Sequence, residues 1–157
     1  MSEFSIGFDY AWRTAASEAA YTQHEWIEPE HLFIGVCKLG NLVSLKDWND
    51  IEIRPDAAAA LKTEAEAVVA LFQKTGYDRI ALYREVRRRL GVGTYPKEGR
   101  KSISRSPASR RLFERAGKLA MNAQSITSLH LLLALLETPK TGIVAALAET
   151  PSGAEAL

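Results

Sequence analysis

Apolar side chains recur every three to four residues along most of the chain, the period that lines them up on one face of a helix. Phe8, Ala11, Trp12, Ala15 and Ala19 form a first stripe, and Ser5 stands where a capping hydroxyl is wanted. Leu32, Phe33, Val36 and Leu39 form a second, ended by Gly40, with Pro29 suited to its first turn, where a missing N–H does no harm. Residues 55–74 are Ala-rich, carry Leu61, Ala65, Val68, Val69 and Phe72 on one face, and stop at Gly76. Residues 78–90 predict a short basic helix whose apolar side is Ile80, Tyr83, Val86 and Leu90. Residues 91–106 mix Gly, Pro, Ser and cations without a period and read as an exposed loop. Ser106 with Pro107 then opens a helix bearing Leu112, Phe113, Ala116 and Ala120. Thr127 or Ser128 opens another carrying Leu131 to Leu136, and a last one covers 142–149. Alternation with period two is confined to Ile51 and Ile53, too short to predict a strand. The expected class is all-α.

The chain also resembles itself. At a shift of 101, Ser5 meets Ser106, Ala11 meets Leu112, Trp12 meets Phe113, Ala15 meets Ala116 and Ala19 meets Ala120. At a shift of 99, Ile27 meets Ile126, His31 meets His130, Leu32 meets Leu131 and Gly35 meets Ala134. Each copy reads as a capped helix, a short loop with an Ile, and an apolar helix that opens near a His. Internal duplication is the expectation, with Ala15/Ala116 and Ala19/Ala120 at equivalent close helix contacts.

Two copies of that order resemble the N-terminal repeats of Clp-type AAA+ unfoldases. The first unit carries Phe4-Ser5, Ala15, Ala19, His24, Ile27, Glu30-His31-Leu32 and Gly35; the second carries Ser106-Pro107 and then Ile126 through Leu136. The likeness covers both ends of the chain, while 41–103 matches only as generic helix. It implies an all-α domain of two pseudo-symmetric four-helix repeats: repeat one over about 1–90, a loop over 91–106, repeat two over about 107–150, and a linker or tail from 151 to 157. The run Thr150-Pro151-Ser152-Gly153 reads as the start of that linker, which suggests that more chain follows. The implied role is docking of protein substrates or adaptor proteins for an ATP-driven unfolding ring, acting in cis or in trans, with no cofactor and no catalysis by this chain. In one branch of the family each repeat holds phosphorylated arginine. There a Glu beside the His takes the guanidinium, and a Ser or Thr at the first helix start helps hold the phosphate. Ser5 and Glu30 match that pattern in the first unit; in the second Ser106 matches, but Leu129 stands at the Glu position. A leucine cannot balance a guanidinium, so at most one charged ligand is expected.

Charge adds a rival. With 157 residues and a net charge of +1 the chain is balanced overall, but residues 1–78 carry 6 basic and 13 acidic side chains, and residues 79–111 carry 11 basic and 2 acidic. Three readings of the basic stretch stand: a solvated helix face and loop; docking onto an acidic protein surface; or a small nucleic-acid-binding protein using Arg84, Arg87, Arg88, Arg100 and Lys101. Tyr95 is the lone aromatic of the loop, so the stacking platforms of single-strand binders are missing.

Enzymatic motifs fail on spacing. Residues 93–102 suggest a phosphate loop, but five residues separate the glycines instead of four and Arg100 precedes Lys101. His24-Glu25 lacks a second His four residues on; His31 is seven away, beyond Pro29, and is expected, like His130, to cap or pack a helix start. Cys37 stands alone among apolar residues, so it supplies neither a disulfide nor a zinc thiolate set and reads as a small buried hydrophobe. Trp12, Trp26 and Trp48 read as core. The single cysteine, with no apolar run long enough for a membrane span and no leader pattern, places the expectation in the cytoplasm.

Overall fold

The computed structural model describes residues 3–44, 54–137 and 141–149. Among these, α-helices carry the fold. Helix α1 spans Ile6–Tyr21, α2 Pro29–Leu39, α3 Pro55–Thr75, α4 Arg79–Leu90, α5 Pro107–Leu119, α6 Ser128–Glu137 and α7 Thr141–Glu149, with a 3₁₀ turn at Gly40–Ser44. Local chemistry sets the ends. The Ser5 hydroxyl accepts the Phe8 N–H at 3.0 Å, Asp78 accepts the Ala81 N–H at 3.1 Å, and Ser106 accepts the Ser109 N–H at 3.1 Å. Gly76 ends α3 at a φ of 81°, the left-handed conformation that favours glycine.

Helix α2 lies at the centre, packed by α1, α4 and α6. Its sequence is apolar on nearly every side, and Leu32, Phe33, Ile34, Val36, Cys37 and Leu39 are all fully buried. Gly35 lets α1 come close: a Cβ there would stand 2.2 Å from the Ala11 carbonyl oxygen. Ala15, Ala19, Ala116 and Ala120 are buried in the core, as small residues at tight contacts should be.

Four two-residue strands join the helices. Strand β1 (Glu3–Phe4) pairs in parallel with β4 (Ser125–Ile126), and β2 (Trp26–Ile27) pairs in parallel with β3 (Ser104–Arg105). Each pair continues into one further bond: the Ser5 N–H reaches the Ile126 carbonyl at 2.9 Å, and the Ser106 N–H reaches the Ile27 carbonyl at 3.1 Å. Two residues are too few to show a period, so these strands leave no signal in the hydrophobic pattern.

Segment 91–106 is mostly exposed and free of helix, as expected, yet it is anchored: it contains β3, its Gly93 and Tyr95 N–H groups bond to the Thr22 and Gln23 carbonyls at 2.7 and 2.8 Å, and Arg100 Nη1 donates to the His24 carbonyl at 2.6 Å. Backbone pairing, not an apolar face, holds it. Two expectations need correction. The buried side of α4 is Leu82, Tyr83 and Val86; Ile80 is 37% exposed, because Leu82, four residues before Val86, holds the core-facing stripe in its place. Residues 107–149 hold three described helices where four were expected. Trp48, the Ile51/Ile53 pair and the tail from 151 lie outside the described residues.

Candidate functional site

The two predicted serine sites differ in what already fills them. Ser5 caps α1 and also donates its hydroxyl to Glu64 Oε2 of α3 at 2.9 Å. The same oxygen accepts the Ser128 N–H at 2.9 Å and the Ser128 hydroxyl at 2.6 Å, at the start of α6. A carboxylate therefore sits where two helix N-termini converge, which their dipoles favour. Gly7 makes the room: a Cβ there would lie 2.0 Å from Glu64 Oε2. At the other serine no such seat exists. The Ser106 hydroxyl is buried and turned to Ser109 Oγ at 3.2 Å, while the Ser109 hydroxyl donates to the Ile27 carbonyl at 2.6 Å. By the repeat alignment, Ala108 stands for Gly7 and Pro29 for Ser128, so both the space and the N–H donor are gone.

Glu30 lines a different cleft, of about 370 Å³, with Arg88, Arg89, Leu90, Gly142 and Ala145. Arg88 and Arg89 there pair with Glu85, and Arg89 also pairs with Glu149. Arg88, through a hydrogen bond, holds the half-buried Glu85 carboxyl below its usual range. The structure seats Ser5 with Glu64 and Ser128, and Glu30 with the cationic end of α4. A smaller cleft of about 200 Å³ is nearly all apolar, with Phe33, Phe72, Leu132 and Leu147 in its wall.

Both histidines of the repeat alignment reach back to their helix starts. His31 Nδ1 accepts the Glu28 N–H at 2.9 Å and His130 Nδ1 accepts the Thr127 N–H at 2.9 Å. His31 is fully buried with its ring 4.7 Å from that of His24, and burial, with a smaller contribution from His24, lowers its pKa to about 4. Among the described residues, no group of three or more His, Cys, Asp and Glu side chains is placed to hold a metal ion.

The five basic residues named for nucleic acid do not form one face. Arg88 is neutralised by Glu85, and Arg84 is exposed. Arg87 instead joins a cleft of about 710 Å³ over the outer face of α1, with Tyr10, Thr14, Ser17, Tyr21 and Lys38. Arg100 and Lys101 line an adjoining cleft of about 420 Å³ that shares Ser17 and Tyr21 with the first. Inside the larger cleft Glu18 is almost wholly buried, paired with Arg87 and, at 3.6 Å, with Lys38.

Sequence reasoning named Ser128 only as a helix start and missed Glu64, Gly7 and the α1 face. A signal was present for two of them: Glu64 abuts the Leu61 and Ala65 stripe, and Tyr10, Thr14, Ser17 and Tyr21 recur at helical spacing. Compared with protein-family models and with curated protein sequences, the chain has no match.

Proposed function

We propose that the chain is a docking domain that presents protein substrates or adaptors to a Clp-type ATP-dependent unfolding ring, built from two pseudo-symmetric repeats. The observation that carries this reading is the exchanged strand pairing. The strand before α1 pairs with the strand before α6, and the strand before α5 pairs with the strand before α2. Shifts of 101 and 99 turn one register into the other: Glu3↔Ser125 becomes Ser104↔Trp26, and Phe4↔Ile126 becomes Arg105↔Ile27. The matched His caps on α2 and α6 obey the same operation. Trp12 and its counterpart Phe113 touch at 4.8 Å between ring centroids, as residues near a twofold axis do. Such an arrangement ties two copies of a small unit into one rigid platform, and a rigid platform suits docking, since little ordering has to be done on binding.

The likeness to the Clp N-terminal repeats supplies the ring and the unfolding context. A free copy of the domain should act as a decoy. Added in excess to a working Clp-type unfoldase and peptidase, it should slow degradation of an adaptor-delivered substrate while the ring's ATP turnover stays unchanged. Undiminished degradation at saturating domain would count against the reading. The nucleic-acid reading retains the cations around α1, and a steep loss of DNA affinity with salt would favour it.

A further inference from the structure

The two clefts over α1 form one continuous groove, because Ser17 and Tyr21 line both. Its floor is a stripe of hydroxyls: Tyr10, Thr14, Ser17 and Tyr21 fall at helical spacings of four, three and four residues. At 1.5 Å per residue that stripe runs about 16 Å, the length of about five residues of extended chain. One wall holds Lys38 and Arg87; the other, supplied by segment 91–106, holds Lys97, Arg100 and Lys101.

The charges do not cancel. Glu18 is the single carboxylate among the residues lining the groove, and it is already shared by Arg87 and Lys38. At the outer edge Arg13 pairs with Asp9 at 2.9 Å. Among the described residues no carboxylate pairs with Lys97, Arg100 or Lys101. Lys97 lies over the Tyr21 ring at 4.5 Å, and Arg100 spends its donors on the His24 and Glu25 carbonyls, which fix it without neutralising it. The second wall is thereby held in place: a Cβ on Gly93 would stand 2.3 Å from the Gln23 carbonyl oxygen, so glycine lets the segment lie flat against the chain after α1.

We infer that this groove binds an extended acidic segment of a protein partner, about five residues long, with its carboxylates on the two cationic walls and its main chain over the hydroxyl floor. A rigid positive groove focuses field lines onto an anionic strand and would speed its capture. The observations favour peptide over nucleic acid. Tyr21, the most exposed ring of the groove, has one face taken by Lys97, and no row of open rings stands beside it on which successive bases could stack. This surface gives the docking reading its chemistry, yet it is tested without any unfolding ring, so either can fail alone.

The test is fluorescence anisotropy with a labelled peptide of alternating Glu and Asp, against a net-neutral peptide of the same length and a single-stranded oligonucleotide of equal charge. The acidic peptide should bind, the neutral one should not, and raising salt from about 50 to 300 mM should weaken binding several-fold. The exposed pair Lys97→Glu/Lys101→Glu should cut affinity at least about tenfold, while Arg84→Glu, outside the groove, should change it less than about twofold. Far-UV circular dichroism should show both variants folded. Absence of peptide binding, equal losses from Arg84→Glu and the wall pair, or tighter binding of the oligonucleotide would each overturn the assignment.

Discussion

Glu64 earns its position from three neighbours, and its removal should show how tightly they are coupled. Glu64→Ala strips three hydrogen bonds from the meeting of α1 and α6 and should cost about 2 kcal/mol. Gly7→Ala pushes the same carboxylate out of its seat, so its cost should be of the same order. The double variant should be no worse than either single one, because the second change removes what the first has already lost. Urea unfolding of the four proteins tests this; additive losses would mean that the two residues act independently. His31 gives a pH signature. Its folded pKa, near 4, lies below the ordinary value of 6.5, so the unfolded chain binds the extra proton between the two. Stability contributed at neutral pH is therefore lost as pH falls from about 6.5 toward 4, by up to about 3 kcal/mol. A His31→Gln variant should lose that part of the slope, and an unchanged slope would remove His31 from the account. Cys37 is fully buried, and burial raises its thiol pKa, so it should react with a thiol reagent only at the rate at which the protein opens.

Among the elements, the pair α1 and α2 is the most exacting contact. At Gly35 the atom in the way is main chain, the Ala11 carbonyl, which cannot rotate aside as a glutamate can. Gly35→Ala should therefore cost about 3 kcal/mol and lower the melting temperature by several degrees, whereas Gly117→Ala, whose Cβ would meet only the end of Ile126 at 3.7 Å, should be near neutral or slightly stabilising. The periodic stripes made these helices legible from the amino-acid order: Ala11, Ala15 and Ala19 form one face, and the caps Ser5 and Ser106 stand where the pattern puts them. The strands were not, because two residues carry no alternation. The anchoring of segment 91–106 was not legible for a related reason. What holds it is Arg100 and two main-chain N–H groups, and a main-chain bond leaves no mark in side-chain chemistry. Arg100→Ala should loosen it, and limited trypsin digestion should then cut faster at Lys97 and Lys101 while cutting within α5 and α6 stays slow.

At the scale of the whole molecule, the exchanged strand pairs and the groove on α1 answer to different parts of the sequence. The pairs follow from what the two halves share: Ser5 and Ser106, Ile27 and Ile126, His31 and His130. The groove depends on what they do not share, above all the cations of 97–101, which no second copy repeats. That asymmetry explains why Ser5 and Glu30 could be picked out from their motif while the partners of each could not. Ser5 meets Glu64 across 59 positions of sequence, and Glu30 shares a cleft with Gly142, contacts that only the fold brings about. The most direct measurement joins the platform to a motor. The chain is fused to a Clp-type ring deprived of its own N-terminal domains, and degradation of an acidic-tagged substrate is followed with and without the fusion. The account predicts that the fusion restores degradation, that Lys97→Glu/Lys101→Glu abolishes the gain, and that ATP turnover is unaltered by either. Degradation no faster than that of the bare ring would contradict it.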